Sequence, residues 1–74
     1  MNKNRSIQLA VELLGGQKKL ALVLGTTQPH VWKLLHNKQK LKAEYVPLIV
    51  KATDGAIKDY ELRPDLPELF PHQT

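Results

Sequence analysis

Lysine and arginine are the side chains of this sequence whose number and placement could do chemistry. Eight of the eleven lie between positions 3 and 42: Lys3, Arg5, Lys18, Lys19, Lys33, Lys38, Lys40 and Lys42. As far as position 44, only Glu12 and Glu44 oppose them, and the whole chain carries a net charge of +4. A surplus so one-sided attracts a polyanion. The remaining acids, Asp54, Asp59, Glu61, Asp65 and Glu68, gather in the last third. Paired carboxylates can do general acid–base work. No nucleophile in a fitting context accompanies them, so no enzymatic activity is expected. They read better as a face turned away from the polyanion. His30, His36 and His72 raise the question of a metal. A spacing of six places the first two on different helix faces. Neither has a cysteine or a well-placed carboxylate nearby, so neither metal nor cofactor is expected. A hydrogen bond to phosphate or a plain surface position is expected for these histidines.

Elements must position those charges, and length limits what the elements can be. Seventy-four residues make one small domain. A large enclosed substrate pocket does not fit in so small a core. The chain has no cysteine, which excludes disulfide scaffolds and Cys-based zinc sites. No apolar run approaches the ~18 residues of a membrane span. The first six residues are polar and lack the apolar stretch of a secretory signal. A domain of this size leans on close helix packing, a second copy or a ligand.

Between its glycines and prolines the chain shows helical spacing. Ile7, Ala10, Val11 and Leu14 line one face of a first helix over 6–14, with Ser6 or Asn4 to cap it. Gly15 and Gly16 end it. A second helix runs over 17–24 and buries Leu20, Ala21 and Leu24. Gly25 stops it. Pro29 is tolerated only in a first helical turn, which starts the third helix at Thr27 or Gln28. That helix runs to about His36, and its apolar face is Val31, Leu34 and Leu35. Residues 37–42 form a polar, basic loop. A fourth helix is expected over about 43–53, with Val46, Ile49, Val50 and Ala52 available for burial and Pro47 pinching its front. Asp54 and Gly55 end it. A strand over 57–62 is compatible with Ile57, Tyr60 and Leu62. The domain proper is expected to span 1–66, with 67–74 an irregular, frayed tail. The fold class expected is all-α, with four to five short helices.

The window QKKLALVLGTTQPHVWKLLH, residues 17–36, meets the physical requirements of a helix-turn-helix. Ala21 is small enough for a close helix crossing. Gly25 supplies the positive φ of a tight turn. Val31 and Leu34 pack the two helices together. In this motif the second helix enters the major groove of DNA. The window resembles the helix-turn-helix of lambdoid phage Cro repressors at Gln17, Ala21, Gly25, Gln28, Lys33 and His36. The flanking stretches LAVELLGGQKKLALVL, residues 9–24, and ATDGAIKDYELRPD, residues 52–65, resemble the YdaS-like antitoxin and Cro family of prophage regulators. The resemblance covers roughly residues 6–66. It departs from the family pattern at Trp32, Pro29 and Lys42, which bears on the target rather than on the fold.

The resemblance implies a lambda-repressor-like DNA-binding domain and a role for particular residues. Thr27, Gln28, Pro29 and Trp32 would face the groove floor, and Lys33 would reach a guanine or a phosphate. Gln28 is the best reader of a base, because a side-chain amide pairs bidentately with adenine. Gln17, Lys18 and Lys19 at the start of the second helix would meet a phosphate, where free N–H groups and the helix dipole favour one. His36, Asn37, Lys38 and Lys40 would grip the backbone, which positions a protein without specifying sequence.

The expected partner is therefore double-stranded DNA, bound by a homodimer that could form only on DNA. The resemblance implies a bacterial or phage-encoded repressor in the cytoplasm, associated with the nucleoid. An antitoxin that also binds a cognate toxin through Leu66, Leu69 and Phe70 is the alternative. A protein–protein module on the same fold is another. Trp32 lies about 100° to 200° off the buried stripe and is expected exposed or half-exposed, against the DNA sugar-phosphate edge or a partner protein. Arg63 is expected to fold back onto Asp65 or a helix C-terminus rather than to touch DNA.

Overall fold

Asn4 begins the first helix because its side-chain oxygen accepts a hydrogen bond from the Ile7 N–H at 3.1 Å. The structure, a computed structural model, describes residues 3–71. His72 and the last residues of the expected tail lie outside them. α1 spans Arg5–Leu14. Gly15, at φ 93°, closes it, and the N–H groups of Gly15 and Gly16 both reach the Val11 carbonyl, at 3.0 and 2.8 Å. α2, Gln17–Leu24, follows at once. Gly25 at φ 68° ends it, and the Thr26 N–H returns to the Ala21 carbonyl at 2.9 Å. Thr27 caps α3, Gln28–Leu35, by accepting from the His30 N–H at 3.4 Å. Pro29 sits in the first turn of α3, where its missing N–H leaves no carbonyl unpaired.

Beyond the basic loop, a single 3-10 turn, Ala43–Tyr45, precedes α4, Val46–Ala52. A last short helix, α5, covers Asp59–Leu62. The described residues are thus all-helical, as expected, and contain no strand. α2 is the hub: it packs against α1, α3 and α4. The core takes Ile7 and Ala10 from α1, Leu20, Ala21 and Leu24 from α2, and Val31, Leu34 and Leu35 from α3. Leu41, Val46, Ile49, Ile57 and Leu62 close it from the other side. The buried faces of α1, α2 and α3 match the spacing that predicts them, so hydrophobic burial fixes the orientations of these helices.

Two expectations need correction. Ala52 is exposed, and Thr53 is buried in its place. Position 53, not 52, continues the i, i+3, i+4, i+7 stripe that runs through 46, 49 and 50. The Thr53 hydroxyl is satisfied there by donating to the Ile49 carbonyl at 2.8 Å. The stretch 57–62 holds no strand. The Glu61 side chain reaches back to accept the Lys58 N–H at 2.9 Å, and this bond nucleates α5 instead.

The ends of the chain are tied across the fold. The Asn4 N–H donates to the Leu35 carbonyl at 2.8 Å, and the Ser6 hydroxyl donates to the Glu61 carbonyl at 3.2 Å. Residues 66–70 turn back through a Phe70 N–H to Leu66 carbonyl bond at 2.9 Å, and Phe70 packs against the core.

Candidate nucleic-acid interface

α3 has two unlike faces. Val31, Leu34 and Leu35 are buried. Thr27, Gln28, Pro29, Trp32 and Lys33 are all exposed. The first three stand at the helix N-terminus, where the chain leaves the Gly25 turn, and Trp32 lies one turn further along the same outer side. The Trp32 indole is 45% exposed and stacks on His36, one turn later, with ring centroids 4.2 Å apart and planes at 30°. That contact restricts the indole without covering it. The outer face of α3 thus offers an amide, a flat aromatic surface and an ammonium.

The residues expected at the phosphates are placed as follows. Lys18 and Lys19 are exposed and Gln17 is half-buried at the start of α2. No side chain caps that end of α2, so its dipole is open to an anion. Asn37 adopts the left-handed conformation at φ 58°, which an asparagine tolerates, and directs the chain out of α3. Lys38 and Lys40 are exposed on the loop that follows, and His36 is half-buried at its root.

His30 behaves differently from its sequence reading. Its Nε2 is sealed from solvent without a hydrogen-bond partner, and its ring packs edge-on to Tyr45, with centroids 6.1 Å apart. It joins α3 to the 3-10 turn rather than facing phosphate through that nitrogen. The signal was present, since His30 precedes the buried Leu34 by one helical turn. Among the described residues no three His, Asp or Glu side chains stand together where they could hold a metal ion.

Arg63 folds back as expected. Its Nε and Nη2 donate to the two oxygens of Asp65 at 2.9 and 2.8 Å, and its Nη1 donates to the Leu41 carbonyl at 2.6 Å. The tie to Leu41 is a feature that sequence reasoning missed. Hydrogen bonding from Arg63 holds the Asp65 carboxyl well below the usual carboxylate range, and Asp65 in turn raises the Arg63 guanidinium. Below about pH 4 the unfolded chain takes up a proton at Asp65 that the folded chain refuses. The stability this pair supplies is therefore complete above that pH and is lost as pH falls further toward the folded-state value. Denaturant titrations of the wild type and Asp65→Asn should accordingly differ at pH 7 and converge in strong acid. An equal gap at both ends would show that the pair contributes nothing through its charge.

No helix among the described residues is long and apolar enough to cross a membrane. Comparison with known proteins adds two matches. The family described as bacterial toxin YdaS matches residues 7–69. The protein described as "Putative transcriptional regulator YdaS" of Escherichia coli (strain K12) is 38% identical over 64 residues, which is 86% of this chain. The chain spans 65% of the length of that relative. No solved structure matches. The family match begins inside α1, ends past α5, and takes in the α2–α3 pair between them. By this measure the chain belongs to the YdaS family.

Proposed function

We propose that this chain is a transcriptional regulator that binds double-stranded DNA as a Cro-like repressor. α3 lies in the major groove, and bound protein blocks access to a promoter. The observation that carries the reading is the split of α3. Its inner side is sealed by α2, while Gln28, Trp32 and Lys33 project outward from the helix that follows the tight Gly25 turn. The relative described as a transcriptional regulator supports the same role. Thr27, Gln28, Pro29, Trp32 and Lys33 meet base edges. Gln17, Lys18, Lys19, His36, Asn37, Lys38 and Lys40 meet the backbone.

Two copies act together. One α3 covers too few base pairs for useful discrimination. The domain measures 33 × 26 × 19 Å, and half-sites one helical turn apart put two copies ~34 Å centre to centre. Two copies meet at that spacing when their long axes lie along the DNA.

The test is selection from a randomised duplex library at near-physiological salt, followed by sequencing of the retained DNA. A two-fold symmetric motif with half-sites about one turn apart is the expected result. Recovery of no motif would sink the reading of a sequence-specific regulator. A second measurement follows from the lysine loop. Lys38→Ala should weaken the selected site and random duplex alike and flatten the log–log salt dependence by ~0.9. A loss restricted to the selected site would place Lys38 at a base instead.

A partner protein is a second reading, favoured by Leu69, which is 62% exposed. Phe70, expected in the same patch, packs against the core. Leu69→Asp is therefore the variant that would separate partner binding from DNA binding without disturbing the fold.

A further inference from the structure

Two of the lysines proposed to hold the DNA backbone, Lys38 and Lys40, stand on a segment that belongs to no helix, residues 37–42. Its start is tied to α3: the Asn37 N–H donates to the Leu34 carbonyl at 3.3 Å, and the Lys38 N–H donates to the Lys33 carbonyl at 2.8 Å. Its end is tied to the 3-10 turn, where the Lys42 carbonyl accepts the Tyr45 N–H at 3.0 Å. Between these, the loop meets the body of the domain at Leu41. The Leu41 side chain is buried, and its carbonyl accepts Arg63 Nη1.

Arg63 is suited to that task and to no direct contact with DNA. Its side chain is only 15% exposed. Three of its five N–H donors are engaged, Nε and Nη2 by the two oxygens of Asp65 and Nη1 by the Leu41 carbonyl. A planar fork with fixed donors can hold a carboxylate and a carbonyl at once, whereas an ammonium cannot reproduce that geometry. Asp65 also lies 3.7 Å from the Lys40 ammonium, so the same carboxylate touches the loop a second time.

We propose that Arg63 is a positioning residue of the DNA-backbone grip, which sets the course of loop 38–42 through the Leu41 carbonyl without touching DNA. The inference rests on the DNA-binding reading above. A loop held in place presents Lys38 and Lys40 already ordered. In a loose loop the entropy of ordering offsets what a phosphate contact returns, so Lys38 and Lys40 leave their phosphates and the loss falls on every DNA sequence alike.

The test uses the full chain, wild type and Arg63→Lys, with two readouts. Backbone order parameters from 15N relaxation should drop over residues 39–41, from near ~0.85 toward ~0.6, while those of α2 stay unchanged. Affinity should fall by the same factor on random and selected duplex, and the salt slope should flatten by ~0.9 for each lysine no longer held at a phosphate. A merely structural loss of stability would leave the slope of the folded fraction as it is. Unchanged order over 39–41, an unchanged slope, or a loss confined to the selected site would each overturn the proposal. Asp65→Ala serves if Arg63→Lys fails to fold. It removes the orienting partner at an exposed position, and the same loss of order must follow. If the wild type binds no duplex at all, the DNA-binding reading fails and takes this inference with it. If the wild type binds and the variants match it in slope and loop order, only this inference fails.

Discussion

Leu20→Ala is expected to lower the melting temperature by roughly 10–30 °C, while Leu22→Ala leaves it nearly unchanged. The two leucines are two positions apart on α2. Leu20 is 0% exposed and Leu22 is 71% exposed. Truncating a fully buried leucine removes transfer free energy and leaves a cavity, together ~2–5 kcal/mol. A domain of this length has about 4–11 kcal/mol in total, so the loss is a large part of it. It falls on the helix that touches α1, α3 and α4, so all three lose a shared support. Leu22 faces solvent, and its removal should stay within about 0.5 kcal/mol. Thermal unfolding followed by far-ultraviolet circular dichroism decides the matter. DNA binding by Leu20→Ala should disappear with the fold and return on cooling. Similar melting of the two variants would mean that α2 is not the hub.

The contrast between Leu20 and Leu22 also shows what could be read in the sequence. Buried stripes at spacings of three and four, interrupted by Gly15, Gly25 and Pro29, are local signals, and they place α1, α2 and α3 correctly. The outer face of α3 was legible for the same reason, as the complement of Val31, Leu34 and Leu35. The failures occur where a side chain finds a partner that its residue type does not announce. Thr53 is buried and Ala52 is not, because position 53 completes the stripe through 46, 49 and 50 and its hydroxyl finds the Ile49 carbonyl. The 57–62 stretch has β-compatible residues, but the Glu61 side chain accepts the Lys58 N–H and caps a helix there. His30 packs edge-on to the Tyr45 ring, although its place one turn before Leu34 already set it beside the inner side of α3. Of the two partners the sequence offers Arg63, Asp65 or a helix C-terminus, the structure shows Asp65. The third bond of Arg63 crosses to a carbonyl 22 positions away, and no spacing rule announces such a contact. Helical periodicity thus reveals faces, while the ties that orient the basic loop depend on how the far end of the chain returns.

The second large effect concerns the face itself. Gln28→Ala should weaken binding to the selected site by ~1–3 kcal/mol, about 5- to 150-fold in Kd, and leave binding to random duplex nearly as it was. Gln28 is the first residue of α3 and is exposed. The helix does not depend on it, since Thr27 supplies the cap and Pro29 sets the first turn. The variant should therefore melt within about 0.5 kcal/mol of the wild type, and lost affinity cannot be charged to lost fold. An amide side chain carries both a donor and an acceptor, which matches the N6 and N7 edge of adenine in the major groove. Pro29 sharpens the dependence. It removes one backbone donor from the front of α3, and this leaves side chains to make the contacts that an N–H could otherwise make there. Repeating the library selection with Gln28→Ala should return the same two-fold motif with one position in each half-site relaxed. Retention of the full preference would show that α3 docks by another part of its face. In that case Trp32 and Lys33, one turn further along, become the readers, and the helix must enter the groove more deeply than its N-terminus alone requires.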